Sequence, residues 1–208
     1  MARDSAATRE RILRAAVDEF SARGLAGARV DRIAAAAPAN KRSIYDYFGD
    51  KEQLFAAALH VVIGDVAAAV PLTVDDLPGY AGRLFDHLVA HPASWRMGMW
   101  LQLERPAAGP DEGTGYAEKI ARMTAAGAGG PVAGIGPVDL VVLIIGLARG
   151  WFLSPDGLLA ADGRDPASPE GRAIHRAAIV EAVRRMCVAA PASASASAPA
   201  STTPIPDP

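Results

Sequence analysis

The chain has one cysteine, Cys187, which excludes an intrachain disulfide and agrees with a reducing compartment. Histidine is also scarce, and His60, His87, His91 and His175 lack metal-ligand spacing. The glycine runs Gly127-Ala128-Gly129-Gly130 and Gly134-Ile135-Gly136 follow no strand and precede no Gly-Lys-Ser/Thr, so they read as loop rather than phosphate cradle. No catalytic constellation stands elsewhere, and Cys187 reads as structural. Strand-forming runs are sparse. The most hydrophobic run, Leu140 to Ala148, is broken by Arg149 and falls well short of the about 20 residues of a membrane span. The N-terminus, Met-Ala-Arg-Asp-Ser, carries no apolar h-region. These absences give the expectation of a cytoplasmic, non-enzymatic protein without metal, cofactor or membrane.

What remains is apolar, helical and long enough for a sizeable core. Half of the 208 residues are hydrophobic, and alanine-rich amphipathic stretches recur from end to end, which predicts an all-α fold. Ile12, Leu13, Ala16, Val17 and Phe20 form the apolar face of a first helix over 5–23, with Gly24 as its terminator. Val30, Ile33, Ala34 and Ala37 mark a second helix that Pro38 ends. Asn40 caps a third, ending at Gly49. Asp50 caps a fourth with Gln53 three residues on, and its stripe runs through Leu54, Phe55, Ala58, Leu59, Val62 and Val66. Further helices fall at 80–91, 94–105, 116–126, 138–153 and 170–190, about nine in all. The Pro/Gly-rich stretches 71–79, 106–115, 127–137 and 154–169 separate them. The Pro/Ala/Ser/Thr-rich segment 191–208 reads as a disordered tail. Net charge is −2, yet residues 1–50 carry nine basic against seven acidic groups, leaving a basic N-terminal end and an acidic body.

The third helix holds the most specific signal. In Asn40-Lys41-Arg42-Ser43-Ile44-Tyr45-Asp46-Tyr47-Phe48, followed by Gly49-Asp50-Lys51-Glu52, basic, hydroxyl and phenol groups share one short helix behind a tight turn. Ile44 and Phe48, four apart, face inward; Lys41, Arg42 and Ser43 lie in the first turn, where a major-groove helix presents side chains to base edges. Arg42 fits guanine O6 and N7 bidentately, and Lys41 reaches guanine or phosphate. From about Ala7 to about Leu59 the chain resembles the TetR family of transcriptional regulators, whose recognition helix carries a Leu/Ile-Tyr-x-Tyr/His-Phe core and is followed by a lysine. That resemblance implies phosphate-clamping roles for Tyr45, Tyr47 and Lys51. Three positions depart from its pattern. Arg42 replaces a small residue and adds a base contact or tilts the docking. Pro38 replaces the turn glycine, and a proline avoids positive φ, so the turn must close differently. Arg29 replaces a capping hydroxyl but puts a guanidinium within reach of phosphate.

The resemblance continues more weakly through His91-Pro92, Arg96, Trp100 and Glu104, then through His175-Arg176-Ala177 and Glu181-Ala182-Val183-Arg184-Arg185. It implies a ligand cavity enclosed by the fifth to eighth helices. All three tryptophans fall there, and Trp95, Arg96, Met99, Trp100, Met123, Arg149, Trp151 and Phe152 are the candidate lining, with Met97, Gln102 and Glu104 nearby. Taken singly, each aromatic reads equally as plain core. The resemblance also implies a homodimer through the last two helices. Gly146 and Gly150 allow close helix approach, and Ile174, Ala178, Ala182 and Met186 make one apolar stripe of the last helix, Ile179, Val183 and Cys187 another. The expectation is a DNA-binding unit over 1–50, a ligand-binding and dimerisation unit over 51–190, and a repressor released from a palindromic operator by a largely apolar molecule. The alternatives are a small helical carrier or enzyme retaining the helix-turn-helix as scaffold, and a non-specific DNA binder, which the acidity of the chain opposes.

Overall fold

The structure, a computed structural model, describes residues 2–104, 113–125 and 135–187. Within them ten α-helices and one 3-10 turn follow each other, with no strand among the described residues. The predicted tail lies outside the described residues, as does most of the two predicted glycine-rich loops.

Helix α1 (Ala2–Gly27) outruns its predicted end. Gly24 takes φ 68°, a left-handed value that glycine adopts without Cβ strain, and the chain then makes one further helical turn. Helix α2 (Val30–Ala36) and α3 (Lys41–Phe48) form the expected helix-turn-helix. Asn40 Oδ1 accepts the Arg42 N–H at 2.9 Å, and Asp50 Oδ1 accepts the Gln53 N–H at 2.8 Å at the start of α4 (Lys51–Ala69). Pro38 corrects the expectation: it sits at φ 27°, held there by the Ala37 N–H on Ile33 O and the Ala39 N–H on Ala34 O. The turn therefore closes at a positive φ despite the proline.

A first core gathers Ile12, Phe20, Ile33, Ile44, Leu54 and Phe55 from α1–α4, with Phe20 edge-on to Phe55 at 5.1 Å. The first three turns of α4 are thus packed with the helix-turn-helix. By length and composition α4 is apolar enough to cross a membrane, yet Leu54, Phe55, Ala58, Leu59 and Val62 spend one face of it on this core.

After the 3-10 turn Val74–Asp76, α5 (Leu77–Ala90) begins three residues earlier than the break suggested, because Asp76 caps it through the Gly79 N–H at 2.8 Å. Then come α6 (Pro92–Glu104), α7 (Gly113–Ala125) and α8 (Pro137–Leu153). The short helix α9 (Asp156–Leu159) lies in the predicted loop after Pro155; four residues give no periodicity to read. The last helix is α10 (Pro169–Cys187). Leu84, Phe85, Met123, Leu140, Ile144, Ile179 and Val183 make a second core. Gly82 lets α10 lie against α5, where a Cβ would stand 2.9 Å from the Arg176 guanidinium. Arg176 in turn pairs with Asp86 at 2.8 Å.

Candidate nucleic-acid interface

Burial divides α3 cleanly. Ile44 and Phe48 are sunk in the first core, while Lys41, Arg42, Asp46 and both tyrosines are exposed and Ser43 is half-buried. Tyr45 and Tyr47 are 41% and 37% exposed, so neither phenol is core. The Tyr47 hydroxyl donates to Ser5 Oγ at 3.2 Å, docking the start of α1 on the recognition helix. Lys51 Nζ donates to Ala28 O at 3.4 Å across the α1–α2 junction. Arg29 makes no side-chain cap for α2; its N–H goes to Glu19 Oε1 at 3.0 Å. Glu19 also takes Arg32 Nε at 2.7 Å, and these donors hold its carboxyl below the usual range. The N-terminus of α2 is therefore anchored to α1 through an acid that sequence spacing did not reveal.

Helix α6 touches both cores, and this splits the expected pocket residues. Met97, Trp100 and Leu101 belong to the first core, not the second. The Trp100 indole N–H donates to Ser21 O at 3.2 Å. The Glu104 carboxylate accepts the Leu25 N–H at 2.6 Å and the Ala26 N–H at 3.1 Å, capping the turn beyond the Gly24 kink. A Cβ on Gly24 would come within 2.7 Å of the Trp100 ring, so the glycine serves this close approach as well as the kink. Trp100 and Glu104 are thus contacts to α1 and the first core rather than cavity wall.

In the second core Trp95 stacks on Phe152 at 5.4 Å, with the Arg96 guanidinium over Trp95 at 5.3 Å. Met99 and Arg149 are half-buried, Met123 is fully buried, and Arg149 lies over Gly98. Trp151 meets Phe85 edge-on at 6.5 Å, and its ring lies 4.4 Å from His175. The open space of about 130 Å³ recorded near Trp151 is lined by Leu159, Arg164, Ile174 and His175, between α8, α9 and α10 rather than between α5 and α8. It is below the about 300 Å³ at which drug-sized pockets begin. Two groups are not singled out by the sequence: Tyr80, close to Arg149, and Lys119, whose ammonium lies 5.4 Å from the Tyr116 ring centroid. Burial pushes the Tyr80 phenol up, Tyr116 adds to this, and Arg149 opposes it. Burial lowers Lys119, and Arg122 lowers it further. Their spacing alone carries no signal, because Tyr80 lies on α5 and Lys119 on α7.

On the outer side, Val138, Val142, Leu153 and Ile174 are 57%, 62%, 53% and 41% exposed. Ala178 is exposed beside Ile174, whereas Ala182 and Met186 are half-buried and Met186 packs on the second core. The expected stripe on α10 therefore turns inward along its length. Among the described residues, a Cβ on Gly146 or Gly150 would meet nothing within 4 Å.

A helix-turn-helix with an outward basic helix, joined through a long α4 to a larger helical unit, defines a one-component DNA-binding regulator. Residues 12–58 match the family model for bacterial regulatory proteins of the tetR family, and residues 76–185 the tetracyclin repressor-like C-terminal domain. The HTH-type transcriptional repressor SCO4008 of Streptomyces coelicolor is 38% identical over 190 residues, covering 89% of this chain and 97% of the relative. The crystal structure of the transcriptional-regulator candidate SCO4942 of the same organism superposes with TM-score 0.72 at 37% identity, covering 86% and 97% of the two chains. AibR, crystallised with isovaleryl coenzyme A and operator DNA, shares the fold alone, at TM-score 0.58 and 16% identity over 84% and 97%. The chain belongs to the TetR family of transcriptional regulators.

Proposed function

We propose that this regulator is a homodimeric repressor, working in the cytoplasm, that a small and largely apolar effector releases from a palindromic operator. In this reading Lys41, Arg42 and Ser43 meet base edges, and Arg29, Tyr45, Tyr47 and Lys51 meet phosphates. Two copies of α3 must enter successive major grooves about 34–36 Å apart. The outer face of α8 and α10 supports a four-helix seam. Among the described residues nothing packs where a Cβ on Gly146 would stand, and Val138, Val142 and Leu153 of the same helix are exposed, as is Ile174 on α10.

The observation that carries the effector reading is the double engagement of α6. Its N-terminal half puts Trp95 in the aromatic wall with Phe152, while its C-terminal end grips α1 through Trp100 and Glu104. A molecule wedged against Trp95, Met99, Met123 and Phe152 displaces α6 and with it the end of α1, and so changes the spacing of the two recognition helices. Arg149, with Tyr80 near it, orients an acidic or carbonyl group on that molecule. Binding energy shifts the population only by the difference in affinity between the two states.

A release assay tests this: operator duplex bound to protein, titrated with small apolar acids and ketones. Trp95→Ala and Arg149→Ala should bind the operator as the wild type does yet need far more compound for release. If both responded like wild type to a compound that frees the wild type, the effector would lie elsewhere and the aromatic wall would be plain core.

A further inference from the structure

Asp31 stands between two of the basic side chains on the recognition surface. One carboxylate oxygen takes Lys41 Nζ at 2.8 Å, and the other lies 3.7 Å from the Arg29 guanidinium. The pair bridges the first turn of α2 to the first turn of α3, at the edge where the duplex must arrive. All three side chains are about half or more exposed, at 54%, 49% and 66% for Asp31, Lys41 and Arg29. In that much water an ion pair contributes little to folding. Its consequence is larger toward a polyanion, where every lysine or arginine withheld from a phosphate is a counterion not released.

We propose that Asp31 is a specificity-determining residue that holds Lys41 and Arg29 away from backbone phosphates, so that only a duplex with the correct base edges recovers the lost attraction. This rests on the reading of α3 as the recognition helix. On an arbitrary duplex the two cations would otherwise serve as phosphate contacts of no sequence information. With Asp31 present, Lys41 must exchange its carboxylate partner for something at least as good, and the Asp31 carboxylate also repels the phosphates nearby. At the operator, base contacts such as a bidentate Arg42–guanine pair offset that cost. Elsewhere nothing does. The carboxylate thus lowers binding to all DNA, and lowers it more for the wrong DNA. Lys41 holds the Asp31 carboxyl below its ordinary range, so the charge persists throughout the physiological pH range.

The test uses a duplex that the full-length protein enriches from a random pool, and a scrambled version of it. Anisotropy titrations over about 50 to 200 mM salt give affinity and salt slope for each. Asp31→Asn and Asp31→Ala should tighten the scrambled duplex about threefold to tenfold and steepen its salt slope by about one unit per freed cation. The ratio of enriched to scrambled affinity should fall at least about threefold. In a Lys41→Ala background the effect of Asp31→Asn should shrink by about half or more, because one of the two restrained cations is gone. Weaker binding to both duplexes would make Asp31 a brace between α2 and α3 and overturn the proposal. So would an unchanged ratio, or an effect of equal size without Lys41, which would mark a bulk charge effect. Failure of the wild type to enrich any duplex would instead overturn the recognition-helix reading, and this proposal with it.

Discussion

Removing the Glu104 side chain probes the joint between the two halves of the molecule. Its carboxylate accepts the Leu25 N–H at 2.6 Å and the Ala26 N–H at 3.1 Å, just after the Gly24 kink. A hydrogen bond to a charged acceptor contributes about 1.5–3 kcal/mol, but the Ala26 amide is exposed and water replaces Glu104 there. The Leu25 amide is part-buried and would be left poorly satisfied. Glu104→Ala should therefore destabilise the fold by about 2 kcal/mol, and Glu104→Gln, which keeps an acceptor, by about half as much. Urea unfolding followed by circular dichroism at one fixed protein concentration measures this, since the stability of the proposed dimer would depend on concentration. The same variants should need more of a releasing compound to leave DNA, because α6 no longer pulls on α1. A Glu104→Ala protein as stable as wild type, with an intact release curve, would refute this coupling.

Lys51→Ala should weaken selected and scrambled duplexes alike and lower the salt slope by about one unit, read by anisotropy titration. Gly146→Leu should leave the protomer folded, since a Cβ there meets nothing within 4 Å among the described residues, but shift sedimentation from dimer to monomer and reduce operator affinity with it. The pH dependence of stability should change with His175. Its Nε2 is buried with no partner among the described residues, and burial lowers its pKa. The unfolded chain therefore binds the proton more readily, and stability falls as pH drops below the unfolded value of about 6.5. His175→Phe should flatten that acid limb in thermal melts between neutral and mildly acid pH; an unchanged slope would show that the imidazole plays no part in it.

The helix-turn-helix was legible because its signals are local. Asn40, Asp50 and Gly49 are caps and stops that act within a turn of themselves, and Ile44 with Phe48 shows its face through four-residue spacing. The second half was legible as helices but not as a site. Trp95 and Trp100 stand five apart on one helix and were expected to share a cavity, yet they lie in different cores, because α6 has apolar residues on two sides and crosses both. Nothing in the sequence said which side faced α1. The role of Glu104 depended on a kink at Gly24 that periodicity cannot show, and Asp31 gained its meaning only when the turn at Pro38 brought Lys41 beside it. On α10, Ile174 and Ala182 shared a stripe by spacing, and packing against α5 and α8 exposes one and half-buries the other.

The central claim is that α3 reads DNA sequence. Its most direct measurement is a base-by-base substitution scan of the enriched duplex, titrated with wild-type protein and with Arg42→Ala. The account predicts a palindromic site in which Arg42→Ala loses about 1–3 kcal/mol of discrimination at one base position in each half-site, and keeps the wild-type preference at the others. A scan in which Arg42→Ala reproduces the wild-type preference at every position would contradict it.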